Sequence, residues 1–410
     1  MHRKLLPFLF IGLTASLSAQ TLSQRQTMSL RRVENIILYA DFPTNILGLH
    51  DENRTITISG QESEHQIVAS LSGNMHLQNT DVLPQIRMER RGENLEIRLY
   101  PVNEMPPRSH PQDQLNLSLS LPRLFPGSLK IITANLRVNM NNLHANAMDV
   151  QSASGDLSVQ KLSGGSLNLT TASGDITVQQ ARMSGPVLVQ AASGDLYLNE
   201  LQCSQLQGLA ESGDAEFLNI QSSEHITLQL SSGDLFIQNM HSEQTQLKIL
   251  SGDTTLEEFV ANTTQLETIS GDIQIGHLQS SSLMVNQKSG DFVAQTLKTQ
   301  DADIRTTGET QVHSAQGQFY LTGNSRPADI TFTSLTSTVD ISIKNANATV
   351  YIPATSSFEL FLESKRGEVE CDFPINGTVQ ENQWNGEVGE GGPTVWISSR
   401  NGNVTLRKAL

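Results

Sequence analysis

The sequence predicts an all-β protein, a single-stranded parallel β-solenoid with two short strands per coil of about 19 residues and irregular β-rich caps at its ends. Two observations carry this prediction. The tripeptide Ser-Gly-Asp recurs at a nearly constant interval, and short runs of alternating apolar and polar residues flank each copy. One repeat cannot fold alone, because its roughly five inward side chains contribute about 10 kcal/mol whereas ordering the unit costs about 30 kcal/mol. Stacking of successive coils supplies the missing contacts.

The first residues predict an export signal. Basic residues at positions 2–4 precede an apolar run over residues 5–17, so we expect a signal peptide over residues 1–19 with cleavage after Ala19. The run is short for a bilayer span, and no later segment is apolar over the ~20 residues that a membrane helix needs. The mature chain is therefore expected to be exported without an integral membrane segment, to the periplasm, the cell surface or the medium.

Residues 20–130 are less regular and predict a β-rich N-terminal cap. Prolines at positions 101, 106, 107 and 111 interrupt this segment before the alternating run "LNLSLSLP". The first coils of a solenoid must differ from the rest, because an exposed end is an open sheet edge.

The regular solenoid is predicted over residues 131–345, where eight Ser-Gly-Asp copies follow one another at intervals of 19 or 20 residues. The first, third and sixth positions after each aspartate are mostly apolar, which indicates a strand with one buried face. The glycines are predicted to supply the backbone conformation of a recurring turn. These glycines are Gly155, Gly174, Gly194, Gly213, Gly233, Gly252, Gly271 and Gly290, and the aspartates are Asp156, Asp175, Asp195, Asp214, Asp234, Asp253, Asp272 and Asp291.

The signature fades towards the end of the chain. Gly308-Glu309, Gly367-Glu368 and Gly402-Asn403 keep the glycine and replace the aspartate. Residues 346–410 are therefore predicted to form C-terminal closing coils with longer turns.

Cys203 and Cys371 are the only cysteines of the chain. Stacking would place them about nine coils, or ~40 Å, apart, whereas a disulfide needs α-carbons within ~7 Å. Two unpaired thiols are expected.

The charge excludes two classes of partner. The formal net charge is −15, and between residues 151 and 300 there are 16 acidic and 5 basic residues. The resulting field repels nucleic acid and anionic lipid. No cofactor is expected, because the histidines are scattered without the spacing of a zinc site.

The stacked aspartates admit three interpretations. The first is structural: their side chains bond turn amides beside the glycine corner. The second is a calcium ladder in which carboxylates of adjacent coils share cations, although the calcium-binding β-roll uses a shorter, glycine-richer unit. The third is catalysis by paired carboxylates, but these acids are equivalent and evenly spaced, so the sequence marks out no catalytic residue.

The second position after each aspartate is predicted to face outward. Apolar residues stand there at Tyr197, Phe236 and Val293, which makes them candidates for a surface contact patch. Scattered surface hydrophobes are the simpler interpretation.

Several segments together resemble a known family. The repeated "SGD", the upstream "ERRGENLEIRLY", the phrase "LSLSLPRL" and the closing "NGEVGEGGPTVWISSRNGNVTLRK" are similar to the putative adhesin family of bacterial envelope and secreted proteins, once catalogued as a domain of unknown function. The resemblance covers nearly all of the mature chain and implies a β-solenoid. It implies no catalytic residues.

Three functions remain open from the sequence. The first is a non-enzymatic exported β-solenoid, an adhesin or cell-envelope scaffold that binds an envelope or extracellular protein or glycan. The second is a carbohydrate-active β-helix enzyme, which the aromatic content of 5% disfavours because such enzymes need sugar platforms. The third is a scaffold that polymerises end to end through its terminal coils.

Overall fold

The computed structural model describes residues 18–40, 54–62, 65–77, 84–100 and 114–409. Within these ranges every regular secondary-structure element is a β-strand. The predicted signal peptide lies outside the described residues except for its last two positions. The strands are β1 (Ser18–Ser29), β2 (Asn35–Ala40), β3 (Arg54–Gln61), β4 (Gln66–Leu77), β5 (Gln85–Arg91), β6 (Asn94–Tyr100), β7 (Gln114–Pro122), β8 (Leu124–Thr133), β9 (Arg137–Ser154), β10 (Leu157–Ser173), β11 (Ile176–Met183), β12 (Pro186–Ser193), β13 (Leu196–Ser212), β14 (Ala215–Leu230), β15 (Leu235–Ser251), β16 (Thr254–Ser270), β17 (Ile273–Gln287), β18 (Phe292–Thr306), β19 (Thr310–Gly323), β20 (Ala328–Phe332), β21 (Val339–Ile343), β22 (Ala348–Pro353), β23 (Phe358–Ser364), β24 (Val369–Cys371), β25 (Asn376–Val379), β26 (Gln383–Val388), β27 (Thr394–Ser399) and β28 (Val404–Ala409).

The central stack, β9 to β19, is a parallel β-solenoid. Each coil pairs with the coils before and after it at equivalent positions, so that Leu157 lies beside Ile176 and Leu196 beside Ala215. The predicted fold class is confirmed. One coil consists of two separate strands, β11 and β12, whereas the neighbouring coils hold one long strand that bends without leaving the ladder.

In the coils from β9 to β16 the bend comes from a residue with a left-handed backbone. Lys161, Gln180 and Glu200, each five residues after the aspartate, have φ values of 53°, 56° and 57°. In β10 the alternation of buried and outward residues slips by one at positions 160–161 and again at 165–166. The chain therefore turns while its apolar face stays inward. We call the segment directly after each aspartate the first arm and the segment before the next Ser-Gly-Asp the second arm.

The core is one continuous column of apolar side chains inside the coils. The alternation predicted from the sequence supplies it, since Leu196, Leu198 and Leu201 are each at most 1% exposed. The large side chains buried within the stack include Phe217, Phe259, Phe292 and Phe319, which lie in four different coils.

The N-terminal end is cross-threaded. On the first-arm side β3 lies between β7 and β9, although β7 is nearer to β9 in the chain. On the second-arm side β2 lies between β6 and β8. Antiparallel strands close both sides, with β4 and β1 beyond β7 and β5 beyond β6.

The C-terminal end is cross-threaded as well. The chain passes through β22, β23 and β24, forms the antiparallel strands β25 and β26, and then returns. On return β27 inserts between β21 and β23, and β28 inserts between β22 and β24. The last strands of the chain therefore lie inside the stack.

Both cysteines are free thiols. Burial raises the pKa of Cys203 to about 12, and the hydrogen bond to Ser222 acts in the opposite direction. Burial also raises the pKa of the Cys371 thiol. The described residues include no helix that is long and apolar enough to cross a membrane.

Candidate functional site along the aspartate ladder

The eight predicted aspartates form a one-way hydrogen-bonded ladder. The Oδ1 atom of each aspartate accepts a hydrogen bond from the backbone N–H of the aspartate in the next coil, for example at 2.9 Å from Asp214 to Asp195 and 2.8 Å from Asp253 to Asp234. The same bond joins all eight, from Asp156 to Asp291. Each side chain thus satisfies an amide that the parallel ladder leaves free at the corner.

The glycine before each aspartate lies where a side chain has no room. Gly252 has a φ of +134°, and a Cβ there would lie 2.0 Å from the carbonyl oxygen of Gly233 in the previous coil. The other seven predicted glycines also have positive φ and face the carbonyl of the previous coil. The corners can therefore stack at the rung spacing only without a side chain.

Arg137 and Pro327 mark the two ends of the aspartate ladder. Arg137 occupies the aspartate position one coil before Asp156 and donates to its Oδ2 at 2.9 Å. At the other end Glu309 donates its N–H to Asp291, and the next corner is Pro327, which has no N–H to donate. Beyond it Asn347 and Asn403 continue the arrangement through their Oδ1 atoms.

Like charges lie close along this ladder. Rungs about 4.8 Å apart bring neighbouring carboxylates into a repulsion of about 0.9 kcal/mol per pair in water. The amide hydrogen bonds offset it, and Arg137 neutralises the first rung. In the part of the chain that the structure describes, no group of three or more His, Cys, Asp or Glu side chains is arranged to hold a metal ion. The calcium ladder stays a prediction, which a calcium titration of the full chain would test.

An open groove runs beside the ladder across the first arms. Its volume is about 660 Å³, and five ladder aspartates from Asp175 to Asp253 line one side. The outward residues of the first arms form its floor. In coil order these are Thr177, Tyr197, Glu216, Phe236, Thr255 and Gln274.

The structure separates the three predicted contact residues. Tyr197 and Phe236 are half-buried and both line the groove, with Glu216 on the rung between them. Val293 is also half-buried and faces outward on the same arm, but it does not line the groove. The two rings therefore share a surface and Val293 stands apart from it.

A second outward row on the second arms combines the same residue types. Tyr320 lies beside Asp340, Asp340 beside Trp396, and Trp396 beside Phe361. The rings of Trp396 and Phe361 stack with centroids 5.4 Å apart, and Trp396 is 43% exposed. Burial raises the pKa of the Asp340 carboxyl.

Sequence reasoning missed this second row because its members are not consecutive repeats. Asp340 and Trp396 become neighbours only through the insertion of β27 between β21 and β23. No interval in the sequence signals that pairing. Pro327 was also missed as the end of the ladder, although its missing N–H is a signal that the sequence carries.

The fold defines the class: a parallel β-solenoid with a hydrogen-bonded polar ladder at one corner. The chain belongs to the Toastrack DUF4097 family, whose model matches residues 44–249, 185–267 and 248–407. The resemblance seen in the sequence is thereby confirmed at the level of the family.

Two solved structures are similar over nearly their whole length. A putative cell adhesion protein from Clostridium sporogenes ATCC 15579 is 10% identical, with 95% of this chain and 100% of that chain covered and a TM-score of 0.21. A putative adhesin from Bacteroides fragilis NCTC 9343 is 10% identical, with 96% and 99% covered and a TM-score of 0.16. The search of curated proteins finds no match.

Proposed function

We propose that this chain is a non-enzymatic, exported β-solenoid that binds a protein or glycan of the cell envelope or its surroundings, as an adhesin or an envelope scaffold. The observation that carries the proposal is the groove beside the aspartate ladder. It extends over at least five coils and places two aromatic rings on its floor. A surface of this length suits an extended ligand better than a small substrate.

The arrangement of the acids favours binding over catalysis. A general acid and a general base need carboxylates in different environments. The ladder carboxylates instead share one hydrogen-bond pattern from coil to coil. This uniformity is what a repeated structural corner requires.

The names of the two similar structures agree with an adhesin, and the predicted export signal agrees with an envelope location. The acidic character of the groove favours a partner with positive charge.

The test is binding of the labelled full chain to native envelope fractions and to a glycan array. We expect saturable binding that falls at least about 5-fold in the double variant Tyr197→Ser/Phe236→Ser, because stacking and apolar contacts are lost. Val293→Ser is the matched control, since it changes an outward apolar residue of the same arm outside the groove. Turnover of any glycan, or an equal loss in the control, contradicts the proposal.

A further inference from the structure

The outward rows of the two arms contain the same three-residue pattern. On the first arm Tyr197, Glu216 and Phe236 occupy successive rungs. On the second arm Tyr320, Asp340 and Trp396 do the same. In each case a carboxylate stands between two aromatic rings. We call these the first slot and the second slot.

The spacing of the aromatic residues in each slot is compatible with a planar chemical group bound between their rings. Two rungs separate the residues that carry the rings of each slot, which corresponds to ~9.6 Å between their backbones along the stack. A planar group between two rings needs about 7–8 Å, twice the usual contact distance between carbon atoms. The acidic side chain of the intervening rung is shorter than the rings beside it, so a planar group fits between the outer parts of the rings and above the carboxylate.

The charge of the slots calls for a cation. Neither Glu216 nor Asp340 has a hydrogen-bond or ion-pair partner among the described residues. Burial already disfavours the charged form of Asp340 and raises its pKa, so a cation placed there would replace lost hydration. The first slot also opens into the groove that five ladder aspartates line.

We propose that each slot binds the guanidinium group of an arginine side chain in an extended polypeptide partner. This inference rests on the proposed binding function and names the partner chemistry. A guanidinium is planar, stacks on aromatic faces and bonds a carboxylate through two parallel N–H groups. An ammonium lacks the plane, and a pyranose ring lacks both the plane and the charge.

The groove fixes the form of the partner at the first slot. From Asp175 to Asp253 it spans four rung steps, or about 19 Å. An extended segment of about six residues covers that length. One arginine enters the slot between Tyr197 and Phe236, and further basic side chains reach the ladder carboxylates. The second slot takes a single guanidinium.

The experiment measures fluorescence anisotropy of a labelled hexapeptide in which arginine and glycine alternate, titrated with the full chain. Peptides with citrulline or lysine in place of arginine are the ligand controls, because citrulline is planar and uncharged and lysine is charged and not planar. We expect the arginine peptide to bind at least about 10-fold more tightly than the citrulline peptide and about 3-fold more tightly than the lysine peptide. Equal binding of arginine and citrulline overturns the proposal.

The protein variants separate the slots from the general negative field. Glu216→Gln with Asp340→Asn should weaken arginine binding at least about 10-fold. The matched control Glu211→Gln with Glu243→Gln removes the same charge from exposed positions outside both slots and should change it less than about 2-fold. An equal loss in both double variants overturns the proposal.

A third double variant, Tyr197→Leu with Tyr320→Leu, keeps apolar bulk and removes one ring from each slot. It should weaken arginine binding about 5-fold. If it abolishes binding to a glycan while arginine binding is unchanged, the slots are sugar sites and the proposal is overturned.

The envelope assay distinguishes this inference from the proposed function. Full envelope binding by Glu216→Gln with Asp340→Asn overturns the slot inference and leaves the proposed function standing. A wild-type chain that binds the arginine peptide but no envelope fraction overturns the proposed function and leaves the slots standing.

Discussion

The central stack and the two ends of the molecule both consist of β-strands, but they differ in how far apart in the chain the paired strands lie. Through most of the stack each residue pairs with the residue 19 or 20 positions away, as Leu235 does with Thr254, and β18 pairs with β19 at 17 or 18 positions. At the ends the partners are far apart in the chain: Ile36 pairs with Leu129, and Ala348 pairs with Val404. Repetition is enough to continue a solenoid, whereas closing it requires strands that return out of order.

The difference has a physical cause. Every coil of the stack is covered by its neighbours, so one pattern serves them all. The terminal coils would expose a row of unpaired N–H and C=O groups. Antiparallel strands cover these edges, and at the N-terminal end side chains help: Gln24 donates to the Pro84 carbonyl and accepts from the Ile86 N–H, while Gln26 donates to the Ile86 carbonyl.

The largest expected effect is the removal of β27 and β28 by truncation before Thr394. These strands lie between β21 and β23 and between β22 and β24, so their loss leaves two gaps in the C-terminal end. We expect the amides of residues 339–371 to lose hydrogen-exchange protection by several orders of magnitude. The coils from Leu157 to Ser251 should keep theirs because nearest neighbours are sufficient there. Uniform loss over the whole chain would contradict the comparison.

The next largest expected effect is the loss of stability caused by a glycine-to-alanine substitution, which we compare between the stack and the N-terminal end. Gly252→Ala in the stack should destabilise the protein by about 3 kcal/mol or more, because φ is +134° and the Cβ would lie 2.0 Å from a carbonyl oxygen. Gly92→Ala, between β5 and β6, should cost only about 1 kcal/mol, because φ is +66° and no atom lies within 4 Å of the new Cβ. Urea unfolding measures both. Similar costs would show that contact between corners is unimportant.

A smaller effect concerns the ladder. Asp234→Ala removes the acceptor for the Asp253 N–H and should cost about 1 kcal/mol. Asp234→Asn should cost less than about 0.5 kcal/mol, because an amide oxygen accepts the same bond and the substitution removes a like charge. The C-terminal end already uses this alternative at Asn347 and Asn403. Thermal unfolding of the two variants checks the order, and a larger cost for asparagine would be contrary to it.

The smallest expected effect is a change in stability when a buried threonine hydroxyl is removed from one rung of the stack. The Thr254 hydroxyl is fully buried without a hydrogen-bond partner, at a position where neighbouring coils carry Leu235 and Ile273. Thr254→Val should therefore stabilise the protein by about 1 kcal/mol. Thr264→Val is the control, since its hydroxyl donates to Ser280 at 3.2 Å and its loss should destabilise. Stabilisation by both changes would contradict this reasoning.

The sequence predicted the stack well because its interactions are periodic. The interval of Ser-Gly-Asp fixes which residues become neighbours, and the alternation fixes which of them face inward. This was enough to place Tyr197 and Phe236 on the outside of the same arm. It did not show that a groove joins them to Glu216, since that depends on the shape of several coils together.

The ends could not be predicted in the same way. Nothing periodic relates β28 to β22, so the pairing of Tyr351 with Arg407 is invisible in the sequence. The second slot was missed for the same reason. The left-handed bend at Lys161 and its equivalents was also missed, because asparagine, which favours this conformation, stands at only three of the seven positions, Asn142, Asn219 and Asn239, while lysine, glutamine and glutamate occupy the others.

Because the two ends close independently of the repeats between them, the number of repeats sets the length of the solenoid. Among the described residues, the strands of the two ends pair only with the outermost coils of the stack, at β9 and β19. Duplication of one unit between Asp156 and Asp291 would therefore lengthen the solenoid by one step of about 4.8 Å and leave both closures intact. The distance between the two closed ends is thus set in discrete increments by the number of repeats. Gain or loss of one repeat therefore changes the length of the solenoid without any change to the strands that close its ends.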